Sequence, residues 1–413
     1  MLVGCALKTD DVDLDSSLFE LARLVDTAQA VPVARVTQVR DQYDSTWLIG
    51  KGKVEEIIKS VEEDKIDLVV FDRELSPRQL TRLEERIPCK VIDRTQLILD
   101  IFAMRAQTKE GSLQVELAQL EYMLPRLVGK GTELSRLGGG IGTRGPGEKK
   151  LETDRRHIRG RIHDLKRDLE QVRKHRQLHQ SRRRKMEIVQ VALVGYTNAG
   201  KSTLLNRLTG STVLEEDQLF ATLDPTSRFL DLPSGEKILL TDTVGFIRNL
   251  PHHLVAAFRS TLEQVQEADL LLHVVDQSHP EAASQMAAVQ QVLKDLSADK
   301  VPMLTVFNKR DQGRGEVLSA EGELIQISAL AEADIARLKE KIAQILYEAQ
   351  VSGSAEIPVA RGEMISQLYE VADVLHSEVN DLTMTLHFRL PRKKYERMPP
   401  EIKACIREVH EKN

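Results

Sequence analysis

The sequence predicts an α/β protein built from several modules, and three observations carry that prediction. Short β-rich runs alternate with amphipathic helical stretches over residues 1–110 and again beyond residue 187, the pattern of largely parallel sheets covered by helices. Between them lies a segment with long helical periodicity and dense positive charge. At 413 residues the chain exceeds what one core usually organises, so about three or four units are expected at roughly 100–200 residues each. The expected order is an N-terminal α/β domain (1–110), an antiparallel helical hairpin with a Gly-rich tip (111–186), a phosphate-loop domain (187–350) and a small C-terminal α/β domain (351–413).

In the N-terminal domain, Ile66–Phe71 and Cys89–Ile92 read as strands, and Ser76–Ile87 and Thr95–Met104 as helices, the second opened by Asp93 or Arg94. The cluster Gly50-Lys51-Gly52-Lys53 lacks the spacing to a following Gly-Lys-Ser/Thr and is read as a turn that starts the helix Val54–Val61. Cys5, Cys89 and Cys405 are far apart and outside any metal-ligand spacing, which fits a reducing compartment. No apolar run reaches the roughly 18–20 residues of a membrane span, and Met1–Asp10 lacks a signal peptide's features, so a cytoplasmic protein without stable membrane insertion is expected.

From Leu113 the periodicity lengthens. Leu113, Leu117, Leu120, Leu124 and Leu127 form one apolar seam, in which Pro125 should kink or end the helix, and Leu151, Ile158, Ile162, Leu165, Leu169 and Val172 form another. Two such seams should face each other, pairing about 111–127 with about 148–185. Residues 126–185 hold 19 Lys and Arg against 7 Asp and Glu, a local charge of +12 that leaves −17 on the rest of the chain. A segregated basic element reads as a polyanion contact, with a solvated face as the bland alternative. The connection 129–147 carries eight glycines interleaved with Arg136, Thr143 and Arg144, and Lys149 follows. Glycine permits close backbone approach and arginine supplies a planar fork, so Arg136, Thr143, Arg144, Lys149, Arg155 and Arg156 are candidate RNA contacts, against a mobile linker.

The apolar strand Ile188–Val194 runs into Gly195-Tyr196-Thr197-Asn198-Ala199-Gly200-Lys201-Ser202-Thr203 and then the helix Ser202–Leu208, the strand–loop–helix context a P-loop requires. Backbone N–H groups there wrap phosphates, Lys201 reaches the β- and γ-phosphates and Ser202 offers a hydroxyl to Mg²⁺. Phe220-Ala221-Thr222-Leu223-Asp224 occupies the place of a switch loop; Thr222 is taken as the second hydroxyl for the metal, with Thr226 its rival. After the hairpin-like pair Ser227–Leu232 and Lys237–Leu240 comes Asp242-Thr243-Val244-Gly245, whose carboxylate can hold Mg²⁺ through water and whose Gly245 N–H can sense a γ-phosphate.

The base is selected by Asn308-Lys309-Arg310-Asp311, because the Asp311 carboxylate accepts both guanine N1–H and N2–H, donors that adenine lacks. Ser328-Ala329-Leu330 supplies N–H groups to guanine O6. These ordered motifs indicate GTP as the nucleotide and GTP hydrolysis to GDP and phosphate as the reaction, with Lys201, Thr222 and Gly245 as its catalytic groups. Phe246 stands where many GTPases place a water-orienting glutamine; the resemblance to GTPases with a hydrophobic residue there implies turnover that is slow alone and accelerated by a partner or by another positioning group. Asn198 is read as a potassium ligand or as a loop-bracing residue.

Outside the nucleotide motifs, three stretches are more specific: Asp93-Arg94-Thr95-Gln96-Leu97-Ile98-Leu99-Asp100-Ile101-Phe102-Ala103, Leu113-Gln114-Val115-Glu116-Leu117-Ala118-Gln119-Leu120, and Gly138-Gly139-Gly140-Ile141-Gly142-Thr143-Arg144-Gly145-Pro146-Gly147-Glu148. With the nucleotide motifs they closely resemble the HflX family, ribosome-associated GTPases of the Obg and HflX group. The resemblance implies binding to the large ribosomal subunit and its RNA, with the glycine-rich tip toward the peptidyl-transferase region. It implies splitting of stalled or stress-arrested ribosomes in the GTP form and release after hydrolysis. A monomer is expected. The competing reading is a GTP-controlled adaptor whose hairpin binds a protein. In the C-terminal segment, Gly362–His376 and Pro400–Glu411 read as helices and Asp381–Leu390 as a strand.

Overall fold

A computed structural model describes residues 1–9, 13–127, 146–185, 188–211, 218–248, 264–313, 320, 322–348, 350–380, 382–391, 395 and 398–410. They form two compact units, residues 1–230 with 237–330, and residues 231–236 with 331–413.

The first unit opens with β1 (Leu2–Leu7), α1 (Leu14–Thr27), β2 (Arg35–Arg40), α2 (Lys51–Glu63), β3 (Leu68–Phe71), α3 (Pro77–Arg86), β4 (Lys90–Asp93) and α4 (Arg94–Arg105). The strands make a parallel sheet in the order β2-β1-β3-β4. Alternation along each strand gives the sheet two apolar faces. Leu2, Val70 and Ile92 pack with α1 and α4, while Val3, Val69, Phe71 and Val91 pack with α2 and α3. Local chemistry sets the helix starts. Ser76 and Gln79 form a reciprocal capping box ahead of Pro77, and the Asp93 side chain accepts from Gln96 N to open α4. Gly50 is the N-cap of α2, so residues 50–53 do start a helix.

Helices α5 (Lys109–Arg126) and α6 (Pro146–Lys185) pack through Leu117, Ile162 and Leu165, flanked by Leu113, Leu120, Leu124, Ile158 and Leu169. Most positions of both seams therefore meet, and Pro125 falls in the last turn of α5. The direction is a correction. Arg161 pairs with Glu116 and, further along both helices, Lys166 pairs with Glu121, which is the register of parallel helices rather than of an antiparallel hairpin. An apolar stripe fixes which face is buried and says nothing about polarity.

The same unit continues with β5 (Gln190–Gly195), α7 (Lys201–Thr209), β6 (Thr226–Asp231), β7 (Lys237–Asp242), β8 (Leu270–Asp276), α8 (Ala282–Asp295), β9 (Met303–Asn308) and β10 (Glu323–Gln326). Their sheet has the order β10-β9-β8-β5-β7-β6, with β7, β5, β8, β9 and β10 mutually parallel. One apolar core joins the two halves of this unit: Leu18, Leu21, Ile98, Phe102, Val115 and Ala118 belong to the same buried cluster as Val194, Phe220, Leu223, Val244 and Phe246.

The second unit holds α9 (Glu332–Glu348), β11 (Gln350–Pro358), α10 (Gly362–Val371), β12 (Asp373–Asn380), β13 (Thr383–Pro391), α11 (Pro400–Lys403) and β14 (Ile406–His410). Its antiparallel sheet runs β12-β13-β11-β14 over a core of Val351, Ile357, Leu368, Leu386, Phe388 and Ile402. Two helical expectations are shortened here. Residues 373–380 and 406–410 are strands, because pairing with β13 and β11 overrides their local helical pattern. None of the described helices is long and apolar enough to cross a membrane.

Candidate nucleotide site

A cleft of about 540 Å³ opens where β5 ends, lined by Thr197, Asn198, Gly200, Lys201, Ser202 and Thr203 from the loop and helix that follow. Phe220, Ala221 and Thr222 line a second wall, and Thr243, Gly245 and Lys309 a third. Gly200 caps α7 with φ 94°, a left-handed conformation in which a side chain would also meet Asn308. The Asn308 amide donates to Ala199 O at 3.0 Å, and its oxygen accepts from Ala329 N at 3.0 Å, so one buried side chain ties the loop to residues 328–330. Lys309 donates to Asn198 O at 3.0 Å and pairs with Asp276 at 2.7 Å. Asp311 accepts from Ser328 Oγ at 2.5 Å.

Lys201 is buried and donates to Tyr196 O at 2.8 Å and Gly195 O at 3.2 Å. Burial lowers its pKa to about 8, with Asp242 opposing. Asp242 is fully buried at the end of β7, and burial raises its carboxyl pKa against the pull of Lys201 and two hydroxyls. Its Oδ2 accepts from Ser202 Oγ at 2.7 Å and Thr222 Oγ1 at 3.0 Å, and those two hydroxyls lie 2.9 Å apart. Asp242 Oδ1 is buried without a hydrogen-bond partner among the described residues. Three convergent oxygens and an orphaned carboxylate oxygen fit a hard divalent cation such as Mg²⁺.

Phe246 is buried, and its backbone is zipped to the loop: its N–H donates to Gly195 O at 3.1 Å and its carbonyl accepts from Thr197 N at 2.8 Å. It belongs to the core and offers no acceptor to a water.

Residues 15–103 match the family model described as GTP-binding GTPase N-terminal, 105–183 the GTP-binding GTPase Middle Region, and 190–309 the 50S ribosome-binding GTPase. The chain is 53% identical over 347 residues to the GTPase HflX of Alkalihalophilus pseudofirmus, spanning 84% of this chain and 82% of that one. To the GTPase HflX of Caldanaerobacter subterraneus it is 50% identical over 367 residues, 89% of this chain and 86% of that one. To that of Escherichia coli it is 41% identical over 407 residues, 96% of this chain and 95% of that one. The chain belongs to the HflX GTPase family. It is accordingly a guanine-nucleotide-binding GTP hydrolase.

Several expected site residues of this HflX GTPase do something other than face the cleft. Leu223 and Val244 are buried in the core, and the Asp224 carboxylate is engaged by Gln107 and Thr108. Arg136, Thr143 and Arg144 lie outside the described residues, and Lys149 falls in α6 with its side chain outside them. Arg155 is half-buried on α6 and Arg156 exposed.

Sequence reasoning missed Arg23, Gln218, Asp276 and Gln312, which also line the cleft. Asp276, a carboxylate ending an apolar strand, carried a readable signal; Arg23, on α1 some 170 residues upstream of the loop by sequence number, carried none. Also unforeseen is the role of Arg94. It donates to Asp72 at 2.8 Å, pairs with Glu20, and reaches Arg248 O at 3.3 Å. Burial lowers its pKa, and Glu20 and Asp72 more than offset this. Tyr196 of the phosphate loop donates to Glu20 at 2.5 Å and accepts from Arg248 N at 2.7 Å. Burial and then Glu20 push the Tyr196 hydroxyl pKa up, so it stays a donor.

Proposed function

We propose that this HflX-family GTPase binds the large ribosomal subunit through its basic helical pair, splits stalled ribosomes in the GTP form and leaves after hydrolysis. The observation that carries the reading is the common core: Val115 and Ala118 of α5 are buried in one cluster with Phe220, Val244 and Phe246 beside the cleft. Whatever grips the helices is thereby coupled to the nucleotide. Local charge of +12 over residues 126–185 favours a polyanion, and the family model matching 190–309 is described as a 50S ribosome-binding GTPase.

In this reading Lys201 pairs with the β- and γ-phosphates, the Gly245 N–H faces the γ-phosphate, and Asp311 takes the guanine N1–H and N2–H. The Ser202 and Thr222 hydroxyls and the Asp242 carboxylate would hold Mg²⁺, which would neutralise phosphate charge. The test is co-sedimentation with purified large subunits. Association should be stronger with a non-hydrolysable GTP analogue than with GDP, and should weaken steeply with salt because many phosphates are contacted. Equal association in both nucleotide forms would sink the proposal.

A further inference from the structure

We propose that Asp224 is a positioning residue for GTP hydrolysis, clasping the switch segment to the start of α5 so that Thr222 is held at the phosphate cleft. The inference rests on reading Thr222 as the metal-binding hydroxyl. Asp224 Oδ2 accepts from Gln107 N and Thr108 N, each at 2.8 Å, and Oδ1 accepts from Thr108 Oγ1 at 2.5 Å. Thr108 is the N-cap of α5, and its hydroxyl oxygen accepts in turn from Gly111 N at 3.0 Å. The hydroxyl is thus committed on both sides, and a carboxylate distant in sequence completes the cap, where a negative charge favours the helix dipole.

Gly111 makes the clasp possible. It lies in the first turn of a helix, where alanine would ordinarily be better tolerated, yet a methyl group there would overlap the Asp224 carboxylate. The other end of the segment is held too. Gln218 accepts from Arg105, and Phe220 meets Phe102 edge-on with ring centroids 4.7 Å apart. Between these anchors Leu223 is buried, while Thr222 turns to the cleft, 2.9 Å from Ser202 Oγ and 3.0 Å from Asp242 Oδ2. A segment pinned at both ends to α4 and α5 follows those helices, so a shift of α5 moves the Thr222 hydroxyl.

The test measures GTP turnover, GDP affinity and thermal stability for Gly111→Ala, Asp224→Ala, Asp224→Asn and Thr222→Ala. Gly111→Ala and Asp224→Ala should each lower kcat by roughly ten- to hundredfold, the scale of losing charge-assisted hydrogen bonds that hold a reacting geometry, with GDP affinity unchanged. Asp224→Asn keeps an oxygen for the two backbone donors and should recover most of the rate. Gly111→Ala loses the clasp but gains helix propensity, so its fall in rate should far exceed its change in thermal stability, a split that a merely structural contact does not give. If Thr222→Ala is inactive while Gly111→Ala and Asp224→Ala turn over GTP at the unsubstituted rate, the clasp is overturned. If Thr222→Ala itself retains full turnover, the reading of Thr222 fails and the clasp with it.

Discussion

Replacing Arg94 with alanine removes a deeply buried cation. Its side chain is 3% exposed and is shared between Asp72, at 7%, and Glu20, at 14%. Removal leaves two carboxylates facing each other without their cation, in a setting where breaking a buried ion pair costs about 3–5 kcal/mol. Arg248 O also loses a donor at 3.3 Å. Arg94→Lys keeps the charge but cannot fork towards three acceptors, so about 1–2 kcal/mol is expected. Adding Glu20→Gln to Arg94→Ala removes one stranded charge and should restore part of the loss, a non-additivity that a double-mutant cycle reads directly. Urea unfolding followed by circular dichroism measures all three, and the midpoint shift should be accompanied by weaker GTP binding because Glu20 also holds Tyr196. A loss below about 1 kcal/mol for Arg94→Ala would refute the view that these charges are effectively desolvated.

Two single substitutions give further outcomes. His273, 1% exposed in β8, has its pKa lowered to about 4, mainly by burial and then by Lys201. The folded protein therefore favours the neutral ring, its contribution is fully present above the unfolded value near 6.5, and stability falls as pH drops from about 6.5 to 4 by up to about 3 kcal/mol. His273→Gln should flatten that part of the stability profile, and an unchanged slope would count against the assignment. Asp311→Asn should shift nucleotide preference from guanine toward xanthine, whose 2-oxo group matches an amide donor; equilibrium binding of GTP and XTP decides, and undiminished GTP affinity would remove Asp311 from the base site.

Elements with local signals were legible in the sequence. The strand, loop and helix at 188–208 could be read because each phosphate-binding position demands its own residue type, and α3 because Ser76, Pro77 and Gln79 together mark a helix start. What could not be read depends on partners distant in the chain. The polarity of α5 against α6 is fixed by pairs such as Glu116 with Arg161, which an apolar seam does not encode. Strands β12 and β14 exist through pairing with β13 and β11. Asp224 lies inside the switch motif, which points it to the nucleotide, yet its carboxylate is spent on α5, a choice only the positions of Thr108 and Gly111 explain. Arg94 sat in a conspicuous stretch whose purpose stayed hidden until Glu20, Asp72 and Arg248 were brought around it.

The apolar cluster that α1 and α4 share with residues 192–298 also has a consequence in time. A ribosome adds roughly 5–20 residues per second, so the face carrying Leu21, Ile98 and Phe102 emerges on the order of ten seconds before Val194, Phe220 and Phe246 arrive to cover it. Through that interval the nascent chain presents a greasy half-finished surface. It is there that a chaperone should first engage the growing polypeptide, and there that a pause in translation should favour aggregation.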